Sequence, residues 1–380
     1  GGVPVIDKLP QLLDNKNYIV LLQNNTELRP SGGFMGSYAR LKAQGTGLKE
    51  IEIQDIYVPD GQLVGHVEPP APIQEAFKQG WWKLRDSNWD PDFTIAAQQI
   101  AWFFEQGGEK VDGVIAVNLG LVQKILNIVG PIKLDDYPEE ITSKNIWTTA
   151  QKYAEVNFFP GSTQKRDFLS SIGKALLTRL KSPWLIKLFF EEFKKNQILV
   201  WLPGILETGG LGYYNQDYLY TVESNLGANK ANCCVERQIT QDVTVNSNSS
   251  WDSKLTITYK NSSEFRDPKP PVFWGGDYHN YLRVIIPSLS QIKDAQKYTI
   301  EQRGKFKIVG WWVKVPAGQS VQTELQYTVM CPSCDVAKYQ VLVKRQPGID
   351  KLPYRLILNG KLKIDTQIDR DHEFVVSFDK

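Results

Sequence analysis

Apolar and polar positions along this chain follow two rhythms, and the change falls near residue 225. Ile19–Leu22 is a short continuous run, branched at its start, which suits a strand buried on both faces; Phe34–Leu41 predicts a second strand. Lys49–Val58 alternates around Ile51, Ile53 and Ile56, the two-residue period of a strand. Thr94–Gln106 instead spaces Ala96, Ile100, Phe103 and Phe104 as one face of a helix, closed by Gly107 and Gly108. Val111–Val117 returns to a buried strand. Asn118 then offers a cap to a helix whose face is Val122, Ile125, Leu126 and Val129. A further helix is expected over Lys165–Lys181, stopped by Pro183, and a strand over Ile198–Leu202.

Beyond Asn225 the helical period disappears. Strand-like runs occupy Thr240–Val245, Lys254–Tyr259, Tyr281–Ile286, Lys307–Val315, Val321–Val329, Tyr339–Lys344, Tyr354–Leu358 and Glu373–Phe378, separated by Asn, Gly, Pro and Ser. The expected architecture is therefore an α/β domain with a mainly parallel or mixed sheet over residues 1–225. An all-β, immunoglobulin-like sandwich is expected over 226–380.

With 380 residues, 42% hydrophobic and 11% aromatic, the chain can bury substantial cores and is not disordered. Lys and Arg number 44 against 42 Asp and Glu, a net charge of +2, so no global basic field points to nucleic acid. No apolar run reaches the roughly 20 residues of a membrane-spanning helix. Four cysteines form two clusters, Cys233–Cys234 and Cys331–Cys334. Three readings stand: disulfides between the clusters, closing loops of roughly 100 residues worth about 4 kcal/mol in the chain-entropy model; free thiols; and a four-thiolate zinc site, for which adjacent cysteines have poor geometry.

Candidate chemistry concentrates in three places. Arg29 stands beside Ser31-Gly32-Gly33 between two strands, where glycine lets backbone N–H groups approach a ligand and a guanidinium forks onto phosphate or carboxylate. An ordinary glycine turn is the alternative. Arg85, Asp86, Asp90 and Asp92 lie just ahead of the helix at Thr94. That cluster reads either as a helix cap with an Arg–Asp pair, or as Asp86 and Asp90 holding Mg²⁺ with Arg85 on a phosphate. Lys165 and Arg166 open a helix, where N–H groups also favour an anion. Two tryptophan pairs, Trp81–Trp82 and Trp311–Trp312, read as site-lining platforms or as packing, with one of the second pair pointing inward. Walker, His-Glu-x-x-His and Gly-x-Ser-x-Gly signatures do not occur.

The string LLQNNTELRPSGGFMGSYARL resembles the signature of a bacterial envelope family known as domain of unknown function 4012. The likeness continues through LRDSNWDPDF, VDGVIAVNLGLVQKILNIVGPIKL, QKRDFL and SNLGANKAN, and in DYHNYLRVIIP and GWWVKVPAGQSVQTELQY. More distantly, residues 15 to 225 are similar in element order to the LytR-CpsA-Psr phosphotransferases. That resemblance implies a cell-envelope protein that binds a polyprenyl (pyro)phosphate-linked glycan and transfers it to a cell-wall polymer. It places Arg29 and Arg166 where that family has arginines; taken with the clusters above, Arg29, Arg85, Asp86 and Arg166 are expected in catalytic roles, with Gly32, Gly33 and Lys165 on phosphate. It further implies an apolar tunnel beside Ile100–Phe104 and Leu176–Phe190, and a membrane anchor upstream of Gly1. The family's paired arginines would fall at Lys152–Glu155, where there are none, and its Arg-Ser-Asp-Thr run is here Arg-Pro-Ser-Gly. The competing expectation is a non-catalytic surface protein that binds a glycan or glycolipid.

Overall fold

The computed structural model describes residues 14–45, 47–60, 65–155, 164–177, 179, 183–246, 250–269, 274–331 and 337–377. The chain is mixed α/β and divides into two compact units, one of residues 1–25 and 31–210, the other of residues 26–30 and 211–380. Among the described residues, no helix is long and apolar enough to cross a membrane.

In the first unit a six-stranded sheet runs β3-β2-β1-β4-β7-β8. Its strands are β1 (Lys16–Asn24), β2 (Phe34–Gln44), β3 (Gly47–Asp55), β4 (Gly113–Asn118), β7 (Ile198–Leu202) and β8 (Leu206–Glu207); β5 (Ile132–Lys133) and β6 (Glu140–Ile141) form a separate pair. Only β1 and β4 run parallel; the other neighbours are antiparallel, so the sheet is mixed. Seven helices are described: α1 (Tyr57–Asp60), α2 (Ala71–Phe77), α3 (Phe93–Gln106), α4 (Leu119–Val129), α5 (Ile146–Glu155), α6 (Gln164–Leu177) and α7 (Pro183–Lys194).

Local chemistry explains these boundaries. Asp92 caps α3 by accepting from Thr94 N at 3.0 Å, and Asn118 caps α4 from Leu121 N at 3.3 Å, each satisfying an otherwise orphaned donor. The apolar face of α3, including Ala96, Ile100, Phe103 and Phe104, buries against Ile19, Leu21, Tyr38 and Val114 of the sheet. Ile100 and Phe104 are therefore core side chains. Pro183 opens α7, because proline's missing N–H and fixed φ suit a first turn. Leu185 of α7 packs with Leu121 and Ile125 of α4. Trp184, Ile186 and Phe190 of α7 are instead 60–69% exposed.

Among its described residues the second unit has twelve strands where the sequence pattern predicts eight. One sheet runs β13-β16-β11-β10-β18-β19, the other β14-β15-β12-β9-β17-β20. Strands β9 (Asp217–Val222), β12 (Tyr278–Pro287), β14 (Thr299–Arg303), β15 (Phe306–Val315), β17 (Lys338–Lys344) and β20 (His372–Ser377) belong to the second sheet. The first is made of β10 (Val235–Asn246), β11 (Ser250–Asn261), β13 (Ser290–Ile292), β16 (Ser320–Met330), β18 (Leu352–Leu358) and β19 (Lys361–Ile368). One apolar core takes Val243, Leu255, Ile257 and Leu356 from the first sheet and Leu282, Val284, Val309 and Val341 from the second.

The expected boundary at residue 225 is corrected to 210. Strand β9 is buried throughout and pairs with β12 and β17, so it is integral to the second unit. Thr26–Pro30 also joins that unit: Leu28 N donates to Asn232 Oδ1 at 2.9 Å, Asn225 N to Leu28 O at 2.8 Å, and Asn232 N to Thr26 O at 3.0 Å.

Cysteine pairing is corrected as well. Cys233 and Cys234 are bonded to each other, so no zinc site and no cross-link of roughly 100 residues arises from them. Cys331 is also in a disulfide, and Cys334 lies outside the described residues. Trp311 packs on the core and donates to Thr323 Oγ1 at 2.8 Å, while its neighbour Trp312 meets Tyr281 edge to face near the surface.

Candidate functional site

Charged side chains of the first unit gather around the segment that leaves β3. Ile56 N donates to Gly36 O on β2 at 3.4 Å, and Lys165 Nζ, at the start of α6, donates to the same carbonyl at 3.1 Å. Lys165 Nζ also lies 3.8 Å from Asp55 Oδ2. At the far end of the same segment, Asp60 receives Arg85 twice: Arg85 Nη1 donates to Oδ2 at 2.7 Å and Arg85 N to Oδ1 at 3.2 Å. The Arg85 guanidinium lies 5.2 Å from the centre of the Tyr57 ring. Burial pushes the Asp60 carboxyl above its usual range, and the Arg85 charge opposes that rise.

Arg85 and Asp86 form one short 3-10 turn, Leu84–Asp86. Asp86 is buried, accepts from Gln79 Nε2 at 3.3 Å and lies 3.8 Å from Arg85 Nε. Trp82 donates its indole N–H to the Asp86 carbonyl at 3.3 Å and packs edge to face on Phe103, so it is a packing residue; its neighbour Trp81 is exposed under Lys83.

Arg166 stands one residue beyond Lys165, paired with Asp167 at 2.9 Å. It lines a groove of about 360 Å³ between β3 and α6, together with Ile51, Ile53, Ser170 and Lys174. The helix approaches the strand closely at Gly173, where a Cβ would lie 3.1 Å from Ile53 Cδ1. Ile51 and Ile53 give the groove an apolar floor, and its charged lining is balanced, Arg166 and Lys174 on the helix against Asp167 beside Arg166 and Glu52 on β3.

The other sequence candidates go elsewhere. Arg29 is a residue of the second unit, 1% exposed, with its guanidinium 3.3 Å from Glu27 and its carbonyl accepting from Gln346 Nε2 at 3.0 Å. Arg29 thus groups with the second unit, whereas Arg85 and Arg166 lie in the first. Gly32 takes φ 126°, a conformation other residues avoid. Gly33 is small for packing: its absent Cβ would collide with the Asn24 backbone. Asp90 Oδ1 accepts from Asp92 N at 2.8 Å, an Asx turn ahead of the helix. Among the described residues, no three His, Cys, Asp or Glu side chains are grouped to hold a metal ion.

Sequence reasoning missed Asp60 and Asn88. Asp60 sits in Val-Pro-Asp-Gly, which reads as a turn. Asn88 Nδ2 donates to Ser31 Oγ at 2.8 Å and Gly33 O at 2.9 Å, tying the two motif loops together. Replacing Arg85 by alanine leaves Asp60 buried without its cation. The expected cost is about 2 kcal/mol, below the range for fully buried pairs because Arg85 is partly solvated. In urea unfolding, Asp60→Asn should recover most of that loss in the Arg85→Ala background.

Residues 14–154 match the model of a family described as protein of unknown function (DUF4012). Comparison with curated proteins gives no match. Among solved structures, the chain is similar to protein gbs0355 from Streptococcus agalactiae, at 12% identity and a TM-score of 0.37, over 51% of this chain and 70% of that one. It is also similar to a Legionella pneumophila protein named "putative nutrient binding protein (lpg2210)", at 10% identity and a TM-score of 0.23, over 33% of this chain and 50% of that one.

Proposed function

We propose, for a chain whose residues 14–154 match the DUF4012 family model, that the first unit is a binding module of the bacterial cell envelope. Its ligand is the (pyro)phosphate headgroup of a polyprenyl-linked glycan. The observation that carries this reading is the groove between β3 and α6. Arg166 and Lys174 share its lining with Ile51 and Ile53, so the first apolar carbons of a lipid meet a matching surface and phosphate oxygens meet two cations once they displace Asp167 from Arg166. Lys165 and Arg85 extend the positive character along the adjoining segment.

Binding is better supported than transfer. Transfer requires donors preorganised for the charge that develops on a departing pyrophosphate. Arg85 is instead locked to Asp60, and Arg29 belongs to the second unit. The LytR-CpsA-Psr likeness keeps glycan transfer to a wall polymer as the second reading, and the immunoglobulin-like sandwich is part of the same envelope proposal.

Farnesyl pyrophosphate, inorganic pyrophosphate and farnesol distinguish the terms of the binding reading when titrated into the whole chain. Farnesyl pyrophosphate should bind at least tenfold more tightly than either fragment. Arg166→Ala and Lys174→Ala should each weaken it about tenfold, or about 1.4 kcal/mol, with unchanged melting temperature. Equal affinity in both variants would remove the groove from consideration. Release of polyprenyl phosphate from a lipid-linked glycan in the presence of wall fragments would move the assignment to transferase.

A further inference from the structure

A second polar cavity, of about 580 Å³, opens on the second unit. Its floor follows from strand register. Gln241, Val243, Ser253, Leu255, Leu325 and Tyr327 point into the unit, so the alternate positions of β10, β11 and β16 face outward. Pairing lines these up in two rows. In the first, Asp242 is opposite Lys254 and Lys254 opposite Gln326, with Lys293 donating to Gln326 Oε1 at 3.3 Å. In the second, Thr244 is opposite Asp252 and Asp252 opposite Thr328, with Gln291 of the edge strand β13 next to Thr328. All eight side chains line the cavity.

The chemistry of the floor is selective. The lining mixes two carboxylates with two ammonium groups, so it has no excess of cations to favour an anion. Tyr327 is the one aromatic in the lining and is buried, so there is no apolar platform for a lipid. Thr328 Oγ1 donates to Asp252 Oδ1 at 2.5 Å and Lys254 pairs with Glu324 at 3.0 Å, which holds the middle of the floor in place. By contrast, the side chains of Asp242, Thr244 and Gln291 make no hydrogen bond or ion pair within the described residues. They stand at opposite margins and present a carboxylate, a hydroxyl and an amide.

We propose that this floor is a binding site for a neutral oligosaccharide. Vicinal hydroxyls donate and accept at once, which is the complement of a surface mixing carboxylate, hydroxyl, amide and ammonium groups. Strands about 4.8 Å apart repeat such groups at intervals matching successive sugar rings laid across them. A chain crossing from β10 to β13 meets Asp242 and Thr244 at one end and Gln291 at the other. The site is independent of the phosphate groove in the first unit.

Chitotetraose, cellotetraose and maltotetraose, titrated into the full chain by calorimetry, test the assignment. At least one should bind with a submillimolar Kd. Asp242→Ala and Gln291→Ala should each weaken that affinity tenfold or more at unchanged melting temperature, since Gln291 is exposed and Asp242 lies half-buried on the outer face. Arg166→Ala should leave it unaltered, which separates this site from the headgroup groove. The proposal is overturned if none of the three sugars binds at 10 mM (a ceiling of about −3 kcal/mol), or if both variants bind like the parent.

Discussion

Gly33→Ala should destabilise the first unit by about 3 kcal/mol, the upper end of the usual overpacking range. An added Cβ would stand 2.3 Å from Asn24 O, 2.4 Å from Asn24 C and 2.7 Å from Asn25 N. All three are backbone atoms at the end of β1, so no side-chain rotation relieves the conflict. The loop cannot retreat easily, because Asn88 holds both Gly33 O and Ser31 Oγ, and Gln23 Nε2 donates to the same hydroxyl at 2.5 Å. Gly36→Ala is the matched control. Its Cβ meets Lys165 Nζ at 3.0 Å, the far end of a flexible chain. Urea unfolding should show a loss under about 1 kcal/mol there; a comparably small loss for Gly33→Ala would refute the steric account.

Stability of the second unit should fall by roughly 3 kcal/mol as pH rises from about 4 to about 6, with Asp217 responsible. Asp217 is fully buried in that unit. Burial raises its carboxyl from 3.8 to about 6 despite hydrogen bonds from Tyr339, the Tyr218 backbone, Trp251 and Gln241. Because the folded-state value is the higher one, the native state binds the extra proton. The stabilisation is complete below pH 3.8 and is lost as pH climbs through 6; beyond that this group contributes no further slope. Asp217→Asn should flatten the curve across that window. A variant whose midpoint keeps the parental pH slope would assign the effect to other groups.

Elements written in local pattern were legible. The α3 cap and its apolar face, the Asn118 cap and the strands around Ile19, Val114 and Leu199 all follow from residues a few positions apart. What failed depends on distance along the chain. The place of Arg29 is decided by bonds from Leu28 and Asn225 to partners up to 204 residues apart, which no local window contains. Asp60 is read as a turn residue until Arg85, 25 residues later, folds onto it. Strands β14 and β19 escaped because they are largely exposed and lack a clean alternation of buried positions. Of the candidate site, Lys165 and Arg166 were found from their helix start, but the groove needed β3, which the sequence does not associate with that helix.

The short segment Thr26–Pro30 has a consequence for biosynthesis. It leaves the ribosome early, yet its hydrogen-bonding partners Asn225, Asn232 and Gln346 are made far later. At translation rates of about 5–20 residues per second, the interval is on the order of 10–40 s. During that time Leu28 has no core to enter, and the nascent chain carries an apolar anchor awaiting its socket. The second unit thus depends on a piece translated before most of the first. A fragment beginning at Leu211 would be missing part of its own core.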